Sequence, residues 1–124
     1  MIEIRKITDY KLIETLTEKF KLSYSGNECF IGVSSNNEIL EFMQYSIVTD
    51  HIEIKYISDI TNDFMLIDGL IKTLLFTTDI TSIKSVLLPK YYEMAAKVFN
   101  FTDHESYYKL KLEDYNNGCC KGKE

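Results

Sequence analysis

No apolar run in these 124 residues approaches the length needed to cross a bilayer, so a membrane-spanning helix is excluded. No charged-then-apolar leader precedes the first apolar alternation, and a cytoplasmic protein is expected. Lysine and arginine (14 together) are outnumbered by aspartate and glutamate (19), leaving a net charge of −5. The basic residues nowhere cluster, which argues against a nucleic-acid binder. Cysteine is scarce. Cys29 lies in an apolar strand and reads as a buried core residue, whereas Cys119 and Cys120 are adjacent near the end of the chain. Neither of that pair has the spaced partners of a zinc or redox motif, and His51 and His104 are far from both. No metal site is expected, and the pair should be dispensable for folding. The five glycines are too dispersed to make a P-loop, a dinucleotide fingerprint or a Gly-x-Ser-x-Gly elbow.

What is present is a regular alternation of strand and helix patterns. Ile2 to Ile7 alternates as a half-buried strand. Thr8 or Asp9 then caps a helix whose Leu12, Leu16 and Phe20 lie one above another, with Ile13 beside them. Lys21 to Glu28 is a loop by composition. Three strands follow in an antiparallel meander: Cys29 to Ser34, Glu38 to Thr49, and Ile52 to Ile57. The second carries apolar residues on both faces (Ile39, Leu40, Phe42, Met43, Ile47, Val48), as a strand covered on both sides would. Glu41, Gln44 and Ser46 stand out in it as polar residues, marking either a cleft wall or an open patch of sheet.

The stretch from His51 to Asp79 organises the rest. After the strand, the chain breaks at Ser58-Asp59 and restarts as a helix behind Thr61, Asn62 and Asp63, any of which can cap it. Apolar doublets at Leu66/Ile67, Leu70/Ile71 and Leu74/Leu75 make a wide stripe, with Asp68, Lys72 and Thr73 opposite. A strand feeding a helix N-terminus offers free N–H groups and a positive dipole end to a phosphate. Ser82 to Leu88 then reads as a strand ended by Pro89, Tyr91 to Phe99 as a helix, and Ser106 to Leu112 as a last strand. A single domain over 1–115 is expected, with a flexible tail over 116–124.

This order, β-α-β-β-β-α-β-α-β, resembles the core of the GNAT-type acetyl-CoA-dependent N-acetyltransferases. Tyr92 to Phe101 is similar to the family's last helix and its Gly-Phe ending, and Tyr107 to Leu112 to its closing strand. The resemblance covers residues 2 to 113. It implies an α/β (α+β) fold with a mixed, mostly antiparallel central sheet flanked by helices. It also implies transfer of an acetyl group from acetyl-CoA to an amine, either a small molecule or a peptide, and admits a homodimer. Ile57, Ser58, Asp59, Asn62, Asp63, Phe64 and Met65 fall where the family holds the CoA pyrophosphate. Glu53 falls where some members carry a base, and Tyr91 and Tyr92 are the tyrosines nearest the position of the thiolate's proton donor.

The chain departs from the family at its specific motif. Where [RQ]-x-x-G-x-[GA] is usual, Asn62, Met65 and Ile67 stand at the Arg/Gln and two glycine positions, and the usual tyrosine position is Ala96. Bulky side chains obstruct close approach of phosphate to backbone, and Asp59 and Asp63 bring like charge to the same place. Any acetyl-CoA binding is therefore expected to be weak. Two readings stand side by side: an N-acetyltransferase, or a catalytically degenerate GNAT-fold module that binds a ligand or a protein.

Overall fold

The structure, a computed structural model, describes residues 2–78 and 83–113. Cys119, Cys120, the expected tail and Ser82 lie outside those residues. Strand β1 (Ile2–Lys6) leads to helix α1 (Tyr10–Lys19), then to the meander β2 (Cys29–Ser35), β3 (Glu38–Val48) and β4 (His51–Ile57). Helix α2 (Phe64–Thr78) follows, then β5 (Ser85–Pro89), α3 (Glu93–Val98), β6 (Thr102–Asp103) and β7 (Tyr107–Lys111). The seven strands form one sheet in the order β1-β2-β3-β4-β5-β7-β6. Every neighbouring pair is antiparallel except β4 and β5.

Helices lie on both faces. On one, Ile13 and Leu16 of α1 pack over Phe30 and Phe42, with Phe20 and Tyr56 completing an aromatic group. On the other, Leu70, Ile71, Leu74 and Leu75 of α2, together with Ala95, Ala96 and Phe99, cover Ile31, Val33, Met43, Ile52, Ile54, Val86 and Leu88. The apolar doublets of α2 thus face the sheet, while Asp68 and Lys72 pair one turn apart at 2.9 Å. Gly69 sits where α2 meets β1: a Cβ there would stand 2.8 Å from Ile4 Cδ1, so a larger residue would require the end of the Ile4 side chain to shift.

The caps follow the local chemistry. Lys11 N–H donates to Asp9 Oδ1 at 3.0 Å, which makes Asp9 rather than Thr8 the cap of α1. At α2 the cap is Asp63, whose Oδ1 accepts from Met65 N–H at 3.0 Å.

Several expectations need correction. β1 is an outer strand, mostly exposed rather than half-buried. β3 is covered on both faces only in its middle: Ile47 and Val48 are exposed where the helices have ended. β5 begins at Ser85 and includes Pro89, α3 is confined to Glu93–Val98, and the short strand β6, too brief to leave a pattern, pairs with β7. Leu66 is half-buried, and Cys29 is half-buried against the core rather than within it.

Candidate functional site

β4 and β5 pair in parallel at three positions, His51↔Ser85, Ile52↔Val86 and Glu53↔Leu87, and then part. The cause lies in β4. Its register with β3 slips between Gln44↔Tyr56 and Tyr45↔Ile54, so Lys55 is an extra, bulged residue. The bulge bends the end of β4 away from β5 and leaves the N–H and C=O of Ile57 without a strand partner on that side.

Tyr92, at the start of α3, fills the role. Ile57 N–H donates to the Tyr92 hydroxyl oxygen at 2.8 Å, and that hydroxyl donates to Ile57 C=O at 3.2 Å. Burial pushes the phenol above its ordinary value, and the bond from Ile57 only partly offsets this. Tyr92 therefore holds its proton through the neutral range. A hollow of about 360 Å³ opens beside it, lined by Ile57, Ser58, Asn62, Phe64, Ile67, Tyr91, Tyr92, Met94 and Ala95, with two carboxylates, Asp59 and Glu93, also in its wall. Tyr91 is almost wholly exposed and meets Tyr92 edge to face. The lining is mostly apolar and suits a thin, uncharged chain.

The start of α2 is chemically different. Glu41 of β3 is fully buried beneath the β4–α2 connection. Its carboxylate accepts from Ile60 N–H at 3.0 Å, from Thr61 N–H at 2.8 Å and from the Thr61 hydroxyl at 2.7 Å. The Ser58 hydroxyl also donates to Glu41, while Phe42 N–H donates to Ser58 Oγ at 2.8 Å. Burial alone would raise this carboxyl's pKa. The donors from Ile60, Ser58 and Thr61 outweigh burial and hold it below the ordinary carboxylate value. Asp63 N–H in turn donates to Thr61 Oγ1 at 3.3 Å, and Met65 N–H to Asp63. The N–H groups of Ile60, Thr61, Asp63 and Met65 are thus all taken by side chains of this chain. Asn62 sits between them at φ 59, a left-handed conformation that asparagine tolerates.

Of the residues singled out from the sequence, Ile57, Ser58, Asp59, Asn62, Phe64, Tyr91 and Tyr92 are brought together around one hollow. Asp63 caps α2, and Met65 is exposed to solvent. Glu53 lies on the opposite face of the sheet, at the last β4–β5 pair, half-exposed and 3.9 Å from Lys55. Ala96 is buried in the core. Glu41 stands out as polar in an apolar strand, but nothing nearby in sequence marks its partners, 17 to 20 residues further on. Gln44 donates to Ser23 C=O at 2.8 Å and anchors the loop after α1. Among the described residues no group of His, Cys, Asp and Glu has the arrangement of a metal site.

No protein-family model matches the sequence, and no curated protein sequence is similar to it. Solved structures are. The ribosomal-protein-S18-alanine N-acetyltransferase of Escherichia coli matches over 88% of this chain and 90% of its own, with a TM-score of 0.68 at 10% identity. An N-acetyltransferase of Staphylococcus aureus matches over 90% and 98%, with a TM-score of 0.65 at 14% identity. The Escherichia coli protein YhhK, solved with coenzyme A bound, matches over 90% and 97%, with a TM-score of 0.63 at 10% identity. With the meander, the parallel β4–β5 pair and the parting beyond it, these likenesses give the chain the GNAT-type N-acetyltransferase fold.

Proposed function

We propose that the chain is an acyltransferase that takes an acyl thioester into the hollow beside Tyr92 and passes the acyl group to an amine reaching it from the opposite face of the sheet. The observation that carries this is the parting of β4 from β5. It leaves a gap through the sheet with a protonated hydroxyl, Tyr92, on one side and a carboxylate, Glu53, on the other.

The residues present fit one part of an acetyl-CoA molecule and not another. The apolar part of the lining suits the pantetheine arm, whereas the N–H groups of Ile60, Thr61 and Met65 are already held by carboxylates and that of Asp63 by a hydroxyl, which does not suit a diphosphate. The thioester supplies an activated acyl carbon. Glu53 takes the proton from the attacking amine. Ile57 N–H, once the Tyr92 hydroxyl turns from it, polarises the carbonyl. Tyr92 gives its proton to the departing sulfur. The chain contributes chiefly by holding two reactants on either side of one gap.

A second reading, a module that binds a ligand without transfer, is favoured by the same hydroxyl: in this structure Tyr92 occupies both polar groups of Ile57. Calorimetric titration separates the two. Acetyl-CoA is expected to bind in the high micromolar range and no more than about threefold tighter than S-acetylpantetheine, which has neither diphosphate nor adenosine. Tighter binding of acetyl-CoA by a hundredfold or so would mean that the loop does hold the diphosphate. Turnover should fall about a hundredfold or more in Tyr92→Phe with binding retained. Binding without turnover by the unmodified chain would establish the second reading, and no binding of either compound would sink both uses of the hollow.

A further inference from the structure

The face of the sheet that α1 leaves uncovered has a charge pattern fixed by strand register. Glu53 of β4 pairs with Leu87 of β5, and Leu87 with Lys109 of β7. One step along, His51, Ser85 and Lys111 form a parallel row. Side chains directly opposite in a sheet share a face. Val86, Leu88, Tyr108 and Leu110 belong to the core under α2 and α3, so Glu53, Leu87, Lys109 and Lys111 are on the other side. Two hollows lie there. One, of about 740 Å³, is lined by Lys84, Ser85, Leu87, Tyr107, Lys109 and Lys111 among others. The other, of about 410 Å³, includes Glu53, Lys55, Leu87, Pro89 and Tyr107. Leu87 and Tyr107 line both, so the two hollows adjoin in one groove; its end at the gap in the sheet carries Glu53 with Lys55 3.9 Å away, and its wider end carries Lys84, Lys109 and Lys111 together with Asp50 and Glu113.

The lysines there are available. Among the described residues neither Lys109 nor Lys111 takes part in an ion pair. Asp50 and Glu113 border the wider hollow, but Asp50 stands 3.9 Å from His51. The middle of the row is half-buried Leu87, an apolar step between the two charges.

We infer that this groove takes a small amine that also carries an anionic group, its ammonium at Glu53 and its anion at Lys109, with an apolar spacer over Leu87. This rests on the acyl-transfer reading only in making that compound the acceptor; the binding itself does not. Glu53 and Lys109 stand on strands two spacings apart, roughly 9–10 Å. The two head groups rise from strands that flank Leu87, so a ligand that touches both must carry enough apolar chain to lie across that side chain.

The test is an NMR titration of labelled protein with no acyl donor present, using four probes: aminocaproate, caproate, cadaverine and glycine. Aminocaproate should move the amide signals of Glu53, Leu87 and Lys109 and bind about threefold or more tighter than the other three. Lys109→Ala should weaken it about threefold, and Lys109→Arg should restore it. Equal binding of all four, binding unaffected by Lys109→Ala, shifts confined to other surfaces, or no binding would each overturn the inference. Because no donor is used, these outcomes leave the titration with acetyl-CoA untouched, and failure of that titration leaves this one standing.

Discussion

Glu41→Ala should lower the unfolding free energy by about 3–4 kcal/mol, read from the urea midpoint at neutral pH. The loss is not that of a contact alone. The buried carboxylate accepts from two backbone N–H groups and two hydroxyls, and its removal deprives the part-buried N–H groups of Ile60 and Thr61 of their partner. Hydrogen bonds to a charged group contribute about 1.5–3 kcal/mol, and orphaning donors that water reaches only in part adds to the loss. Glu41→Gln keeps the shape but turns an NH₂ toward other donors, so it should recover only part of the loss. The pH dependence has a definite sign. The carboxyl's folded pKa lies below its unfolded one, so its contribution is whole above the ordinary carboxylate value, about 4.3, and is lost as pH falls through the folded value. The difference between parent and Glu41→Ala should therefore shrink in acid. A difference unchanged by acid would mean that the carboxylate's charge is not what holds the loop.

Leu70→Ala should cost a similar amount, about 2–5 kcal/mol, for a different reason. Leu70 is wholly buried in the middle of α2, among Ile71, Leu74 and the strands beneath. Truncation removes apolar contact and leaves a void that a packed sheet closes only partly. This loss should be nearly independent of pH, since no titrating group is involved. An unchanged denaturant midpoint would show that this face of α2 is not core.

How much of the fold and of the site is legible in the sequence depends on the range of the interactions. The order of the main elements, the short list of cap candidates and the apolar doublets of α2 are local, and periodicity and capping chemistry reveal them. Coverage is not local: Ile47 and Val48 look like core beside Phe42 and Met43, and only the position of the helices distinguishes them. The site follows the same division. Thr61, Asn62 and Asp63 all read as possible caps, and only the bond from Met65 N–H singles out Asp63. Glu41 is an oddity in an apolar strand, but its meaning lies in donors a hairpin away. Tyr92 is off the family's position for a proton donor, which falls on Ala96. It reaches the site because a bulge at Lys55 bends β4 toward it, and a bulge leaves no pattern in sequence.

The short pairing between β4 and β5 also bears on how the molecule opens. β2 and β3 share seven register pairs and are neighbours along the chain, so their contacts form early and exchange their amides slowly. β4 and β5 share three, and the chain must pass through α2 before they can meet. The halves β1 to β4 and β5 to β7 are therefore joined through the sheet by a short, non-local pairing. Local loosening of that short pairing would widen the gap beside Tyr92, while the core under α2 and α3, which spans both halves, holds them together. Entry of a ligand into the gap can thus draw on a fluctuation that the order of the strands already provides.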